Sequence, residues 1–278
     1  MTQKTGGGLA FNRTVEAGLR RDRLVILAGL VALTLLAWLF VLDGAGTGMS
    51  VRAMTTWSFP PPIRPSMSMT WGIDYWIVMF FMWWIMMIAM MTPSAAPIVL
   101  LYARVARHGQ AKGRMAAGPV PTAVFYGGYL AAWAGFSVAA TAAQWGLERV
   151  GLMHGMLMWS SDGYFSAALL GFAGLYQLSG WKHACLEHCR SPAHYLSTRW
   201  RTGAWGAFRM GAEHGAYCLG CCWGLMALLF VGGTMNIVWI AGLSILVLFE
   251  KLLPWGRRVA QAVGCALLAG AIYAAMAT

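Results

Sequence analysis

Two short stretches concentrate the soft ligands of this chain. Glu213 to Trp223 reads Glu-His-Gly-Ala-Tyr-Cys-Leu-Gly-Cys-Cys-Trp. It places His214, Cys218, Cys221 and Cys222 within about two and a half helical turns. At about 100° per residue, His214, Cys218 and Cys221 fall within roughly 60° of one another, with Cys222 beside that stripe. Trp181 to Arg190 reads Trp-Lys-His-Ala-Cys-Leu-Glu-His-Cys-Arg and supplies His183, Cys185, His188 and Cys189. On a helix, Cys185 and Cys189 share a face and His188 adjoins them. Thiolate and imidazole suit Zn(II), Cu(I) or iron–sulfur clusters. The spacing matches no standard motif for any one of these. A single cysteine often serves as a small hydrophobe, and Cys265 reads that way. Two tight groups of thiols and imidazoles read as a metal or redox site.

Methionines form the third feature. Met79, Met82, Met86 and Met90 fall within an arc of about 80° on one helix face, flanked by Met87 and Met91. Thioethers bind Cu(I) and few other cellular ions, although methionine also fills gaps between helices. Met67 and Met69 lie just upstream. A soft-ligand trail therefore runs from Met67 and Met69, through Met79 to Met91, to the thiols. It favours Cu(I) as the bound ion, with Zn(II) as the second choice.

These residues need rigid elements to hold them, and the composition says which kind. Hydrophobic residues make up 59% of the chain and charged residues 10%, against about 25% charged in an average soluble domain. Mean hydropathy is +0.60. An all-α, polytopic transmembrane helix bundle follows. The net charge of +11 reflects Lys and Arg in short loops, as the positive-inside rule expects. No basic and aromatic surface pattern points to nucleic acid. None of the six cysteines falls in a predicted outer loop, which argues against an extracellular disulfide framework. The first apolar run lacks a clear cleavage site and reads as a retained anchor.

The hydropathy pattern predicts about seven spans with the N-terminus cytoplasmic. Residues 1–23 form a disordered cytoplasmic tail, and residues 24–278 the transmembrane domain. The spans cover 24–42, 72–103, 121–145, 163–180, 212–231, 235–253 and 259–275. Residues 43–71 make an outer loop rich in Pro and Met. Pro93 and Pro97 are expected to break or kink the second span. Both Cys/His stretches then lie at inner ends of the fourth and fifth spans, where a short helical connection would bring them together. Charges inside a membrane are costly and usually functional, which singles out Asp74, Glu213 and Glu250. Glu250 is expected to pair with the adjacent Lys251 or to snorkel. Asn236 is placed to hydrogen-bond a neighbouring helix.

Three strings carry a resemblance. Trp84 to Pro97 reads Trp-Ile-Met-Met-Ile-Ala-Met-Met-Thr-Pro-Ser-Ala-Ala-Pro, Lys182 to Pro192 reads Lys-His-Ala-Cys-Leu-Glu-His-Cys-Arg-Ser-Pro, and Gly211 to Trp223 completes the set. Together with Met235 to Trp239 and Glu250 to Gly256, they resemble the bacterial family labelled "predicted metal-binding integral membrane protein", a domain of unknown function. The likeness covers most of residues 72–275. It implies a multi-pass protein of the bacterial inner membrane, with its metal ligands in the two Cys/His blocks.

The resulting expectation is a membrane protein that binds a soft metal, copper favoured, in transport, delivery or sensing. Its partners would be the lipid bilayer and a metal donor or acceptor protein. The alternative is a membrane thiol-disulfide oxidoreductase using the CxxC pair Cys218 and Cys221. A haem or assembly subunit with His214 or His183 as axial ligand is a third reading. No Ser-His-Asp or HExxH arrangement supports a hydrolase. The sequence sets neither an enzymatic activity nor an oligomeric state.

Overall fold

The computed structural model describes residues 6–59, 61–65, 69–111 and 122–277, with side chains from 23 onward except those of 108–111. Ten helices follow in chain order: α1 (Gly6–Leu42), α2 (Ile73–Ala111), α3 (Thr122–Arg149), α4 (Gly163–Leu178), α5 (Gly180–Arg190), α6 (Pro192–Thr198), α7 (Gly203–Ala227), α8 (Leu229–Gly232), α9 (Ile237–Leu252) and α10 (Gly256–Met276). Among the described residues, five stretches are long and apolar enough to cross a membrane: 23–42, 73–107, 122–149, 203–232 and 256–276. The predicted fourth and sixth spans correspond to α4 and α9. At 16 residues each, these are about 24 Å long, shorter than the usual crossing of about 20 residues.

Two expectations about the first half are corrected. Residues 6–23 continue α1 as helix rather than forming a disordered tail. Helix α2 runs through Pro93 and Pro97 without a break. The two prolines take the amide donors from the Ala89 and Pro93 carbonyls, and the helix continues where it packs on α1, α3 and α9. Thr92 Oγ1 donates to the Ile88 carbonyl at 2.6 Å and Ser94 Oγ to the Met91 carbonyl at 2.9 Å.

Helix α7 carries the second Cys/His stretch, and glycines set its position. A Cβ at Gly128 would collide with the Phe208 carbonyl, and one at Gly211 with the Phe125 carbonyl. Helices α3 and α7 therefore touch backbone to backbone, as small residues allow. Helix α10 meets α4 the same way: Cβ atoms at Gly174 and Gly264 would crowd Leu268 and Leu178.

Ser179 joins α4 to α5 and caps both, its Oγ accepting the Lys182 amide at 3.2 Å. Helix α5 is the short connection expected between the two Cys/His stretches, and it packs on α7. At the opposite end of the bundle, the loop from Asp43 is fastened to the start of α9. Asn236 donates to the Thr56 carbonyl at 3.0 Å and the Gly232 carbonyl at 2.9 Å. Its Oδ1 caps α9 by accepting from the Val238 amide at 3.1 Å. The tight turn expected at Gly232, Gly233 and Thr234 is present, with Gly233 at φ 106°, a backbone that favours glycine. Leu24, Leu35, Leu36 and Leu39 of α1 are exposed, as are Ile272 and Met276 of α10.

Candidate metal centre

The sulfur atoms of α5 and α7 meet inside the bundle. Cys218, Cys221 and Cys222 are each about 1% exposed. The Cys221 Sγ lies 3.9 Å from Cys189 Sγ across the α5–α7 contact. The Cys222 Sγ lies 3.9 Å from Met91 Sδ on α2. Both thiols also donate to the Cys218 carbonyl at 3.0 Å, an ordinary bond for a polar side chain three or four residues on. Cys185 rests against Gly220, where a Cβ would come within 2.9 Å of its sulfur. Burial, and then the neighbouring Cys221, push the Cys185 thiol above its ordinary range. All six cysteines are free thiols.

Cys218 has the most polar surroundings. The Lys251 ammonium donates to its sulfur at 2.9 Å and to Ser94 Oγ at 3.2 Å. The Tyr129 hydroxyl lies 3.1 Å from the same sulfur. A cavity of about 190 Å³ opens beside this group, with Ser94, Pro97, Cys189, His214, Cys218 and Lys251 in its wall. His214 is 4% exposed. Its ring lies between Tyr129 and Tyr195, with centroids 6.1 Å and 5.6 Å away. Its Nδ1 is buried with no hydrogen-bond partner among the described residues.

The other two histidines of the predicted set leave this centre. On α5, His183 stands about 200° from Cys185. Burial, and then Arg257, lower its pKa. His188 is exposed and stacks flat on Tyr217 at 4.5 Å, with Nδ1 at 2.9 Å from the Ala184 carbonyl. Cys265 is exposed on α10 rather than packed.

The singled-out polar residues divide between structural roles and the surface. Glu250 does not pair with Lys251. Instead Lys182 Nζ meets its Oε2 at 2.6 Å and Gln177 Nε2 its Oε1 at 2.7 Å. Adjacent helical residues diverge by about 100°, so neither can face the other. Glu213 sits among Arg201 at 2.9 Å, Arg209 at 3.2 Å and Arg199 at 3.9 Å. Asp74 is exposed in the first turn of α2. Asn236 fastens a loop, as described above.

Met79, Met82, Met86, Met87, Met90 and Met91 are all 2% exposed or less. The row meets the thiols through Met91. At its other end Met79 Sδ accepts from Gln144 Nε2 at 3.7 Å. Gln144 continues to a buried carboxylate that the sequence did not single out. Its Nε2 donates to Glu148 Oε1 at 3.1 Å, and Trp71 Nε1 donates to Glu148 Oε2 at 2.9 Å. Met69 is 38% exposed, and Met67 lies outside the described residues.

The donor set is therefore sulfur-rich, with four cysteines and a thioether. At a metal–sulfur bond of about 2.3 Å, sulfurs 3.9 Å apart would subtend about 116°, between tetrahedral and trigonal. Among the described residues, however, no group of three or more His, Cys, Asp or Glu side chains is placed to hold one metal ion. The Lys251 ammonium is the cation that contacts Cys218.

A family model described as a copper chaperone, PpoB2, matches residues 80–274. The match takes in α2 from Phe80 and both Cys/His stretches. No curated protein and no solved structure matches the chain.

Proposed function

The chain belongs to the PpoB2 copper chaperone family, and from that premise we propose that it holds Cu(I) for delivery within the bacterial inner membrane. Seven crossings place the N-terminus in the cytoplasm, with α4 and α9 as the two short spans. The exposed leucines of α1 and the apolar face of α10 support lipid contact, since soluble proteins rarely leave such faces uncovered. Cys189, Cys218, Cys221 and Cys222 hold the ion together with Met91. The methionines from Met79 to Met90 form the route toward them, and Met67 and Met69 extend it outward. A metal donor or acceptor protein is the partner.

One observation carries this reading: Cys221 lies 3.9 Å from Cys189 and Cys222 lies 3.9 Å from Met91, while both donate to the Cys218 carbonyl. Cysteine thiolates serve Cu(I) and Zn(II) alike, and the Met91 thioether is the donor that favours Cu(I). The test is an anaerobic Cu(I) titration of purified protein against a competing chelator. Wild type should bind tightly, and Cys218→Ser and Cys222→Ser should each bind more weakly. The reading fails if wild type takes up no copper, or if both variants match it.

A second reading keeps a thiol oxidoreductase, with a different pair. The close partner of Cys221 is Cys189 at 3.9 Å, rather than Cys218 of the CxxC. Closure to a bond of about 2.05 Å needs a modest shift of α5 on α7. Disulfide exchange by metal-free protein, abolished in Cys189→Ser, would favour it.

A further inference from the structure

We propose that the Lys251 ammonium is an internal stand-in for the copper ion: it contacts the Cys218 sulfur in metal-free protein, and Cu(I) takes its place there while the ammonium keeps its bond to Ser94. This rests on the Cu(I) reading above and adds how the ion is let go.

Lys251 is 8% exposed, and a buried cation requires a compensating partner. The adjacent Glu250 is already taken by Lys182 and Gln177. Lys251 is left with the Cys218 sulfur at 2.9 Å and the Ser94 hydroxyl at 3.2 Å. Nearby, Cys221 pairs with Cys189 and Cys222 with Met91, each at 3.9 Å, and among the described residues no three His, Cys, Asp or Glu side chains are placed to hold one ion. The cation that meets the Cys218 sulfur is the ammonium.

Charge makes the exchange symmetrical. Lys251 and Cu(I) each carry one positive charge, so the Cys218 sulfur has one cation in contact before and after the exchange. The displaced ammonium has a place to go. Ser94 lies on the wall of the 190 Å³ cavity. Lys251 sits in the last turn of α9, one residue before its end at Leu252. The free carbonyls of a helix C-terminus attract a cation, and the four-carbon stem of lysine lets the head swing there.

Release runs in reverse. As the ion leaves, the ammonium returns to the sulfur, so Cys218 is never a bare buried anion. A chaperone needs tight holding and ready release, and Lys251 lowers the barrier to release without forming a bond to copper.

The experiment compares wild type with Lys251→Leu, which removes the charge and adds no atom that binds copper. Both are loaded with Cu(I) without air, and transfer to an excess of a Cu(I) chelator is followed in time. Lys251→Leu should release copper at least about tenfold more slowly, as a difference in off-rate. Equal or faster release by Lys251→Leu overturns the proposal. Should that variant fail to fold, Ser94→Ala is the second arm. It removes the hydroxyl that holds the displaced ammonium, and it should weaken Cu(I) binding several-fold. Unchanged Cu(I) affinity there also overturns it. If wild type binds no copper, the Cu(I) reading itself has failed; if it binds and both arms match it, only the role of Lys251 has.

Discussion

The Lys182 ammonium meets the Glu250 carboxylate across 68 residues of chain, with 2.6 Å between Nζ and Oε2. Both side chains are almost wholly buried, at 0% and 2% exposure. The pair joins the start of α5 to the end of α9, and Gln177 of α4 completes it. Removing one charge of a buried pair strands the other and typically costs about 3–5 kcal/mol, whereas replacing both can be neutral. Lys182→Met should therefore lower stability in detergent by that amount, and Lys182→Met with Glu250→Leu should recover most of it. Denaturant unfolding of the three proteins checks this.

Gly211 fixes how closely α7 approaches α3, since any Cβ there meets the Phe125 carbonyl. Gly211→Val should push the helices apart and cost about 1–3 kcal/mol, the usual range for overpacking. It should also weaken copper binding, because α7 carries Cys218, Cys221 and Cys222. A glycine with open space around it, such as Gly135, provides the control: Gly135→Ala should leave binding unchanged.

Asn236 makes three hydrogen bonds from a fully buried position. Asn236→Leu removes the cap of α9 and leaves the Thr56 and Gly232 carbonyls without that donor. A loss of about 1–3 kcal/mol follows from an unsatisfied buried polar group. Copper affinity should not change, since Asn236 lies at the opposite end of α9 from Lys251. A thermal scan beside a copper titration separates the two effects.

The reach of the sequence differs from residue to residue. Helical spacing was sufficient to place Cys218, Cys221 and Cys222 on one side of α7, and to put Cys185 and Cys189 toward it. The same geometry sends His183 to the far side of α5, where proximity in sequence to the thiols means nothing. Lys251 was legible only as a neighbour of Glu250. Its contact with Cys218 depends on α9 lying against α7 and on Lys182 having claimed the carboxylate, and neither follows from local spacing. Pro93 and Pro97 misled for a related reason. Proline predicts a break from the backbone alone, while α2 is held by packing on α1, α3 and α9, which local sequence does not show. Glu148 reads as a loop-end charge until α2 and the Trp71 segment pack against it.

His154 gives a pH dependence with a definite sign. Burial, and then the nearby Arg64, lower its pKa, and its Nδ1 accepts the Leu157 amide at 3.1 Å. The unfolded chain takes up a proton on this histidine near pH 6.5, and the folded protein resists doing so until lower pH. Stability should therefore fall as pH drops below about 6.5. His154→Gln should flatten that decline, measured as the denaturation midpoint across the acid range. An equally steep decline in the variant would remove His154 as its cause.

The most direct test of the sulfur site is X-ray absorption at the copper edge of the Cu(I)-loaded protein. It should be measured beside a variant with Cys189, Cys218, Cys221 and Cys222 all changed to Ser. The account predicts a first shell of sulfur in the wild type and the loss of that shell in the variant. A shell of nitrogen or oxygen, or a sulfur shell that survives the four substitutions, would contradict it.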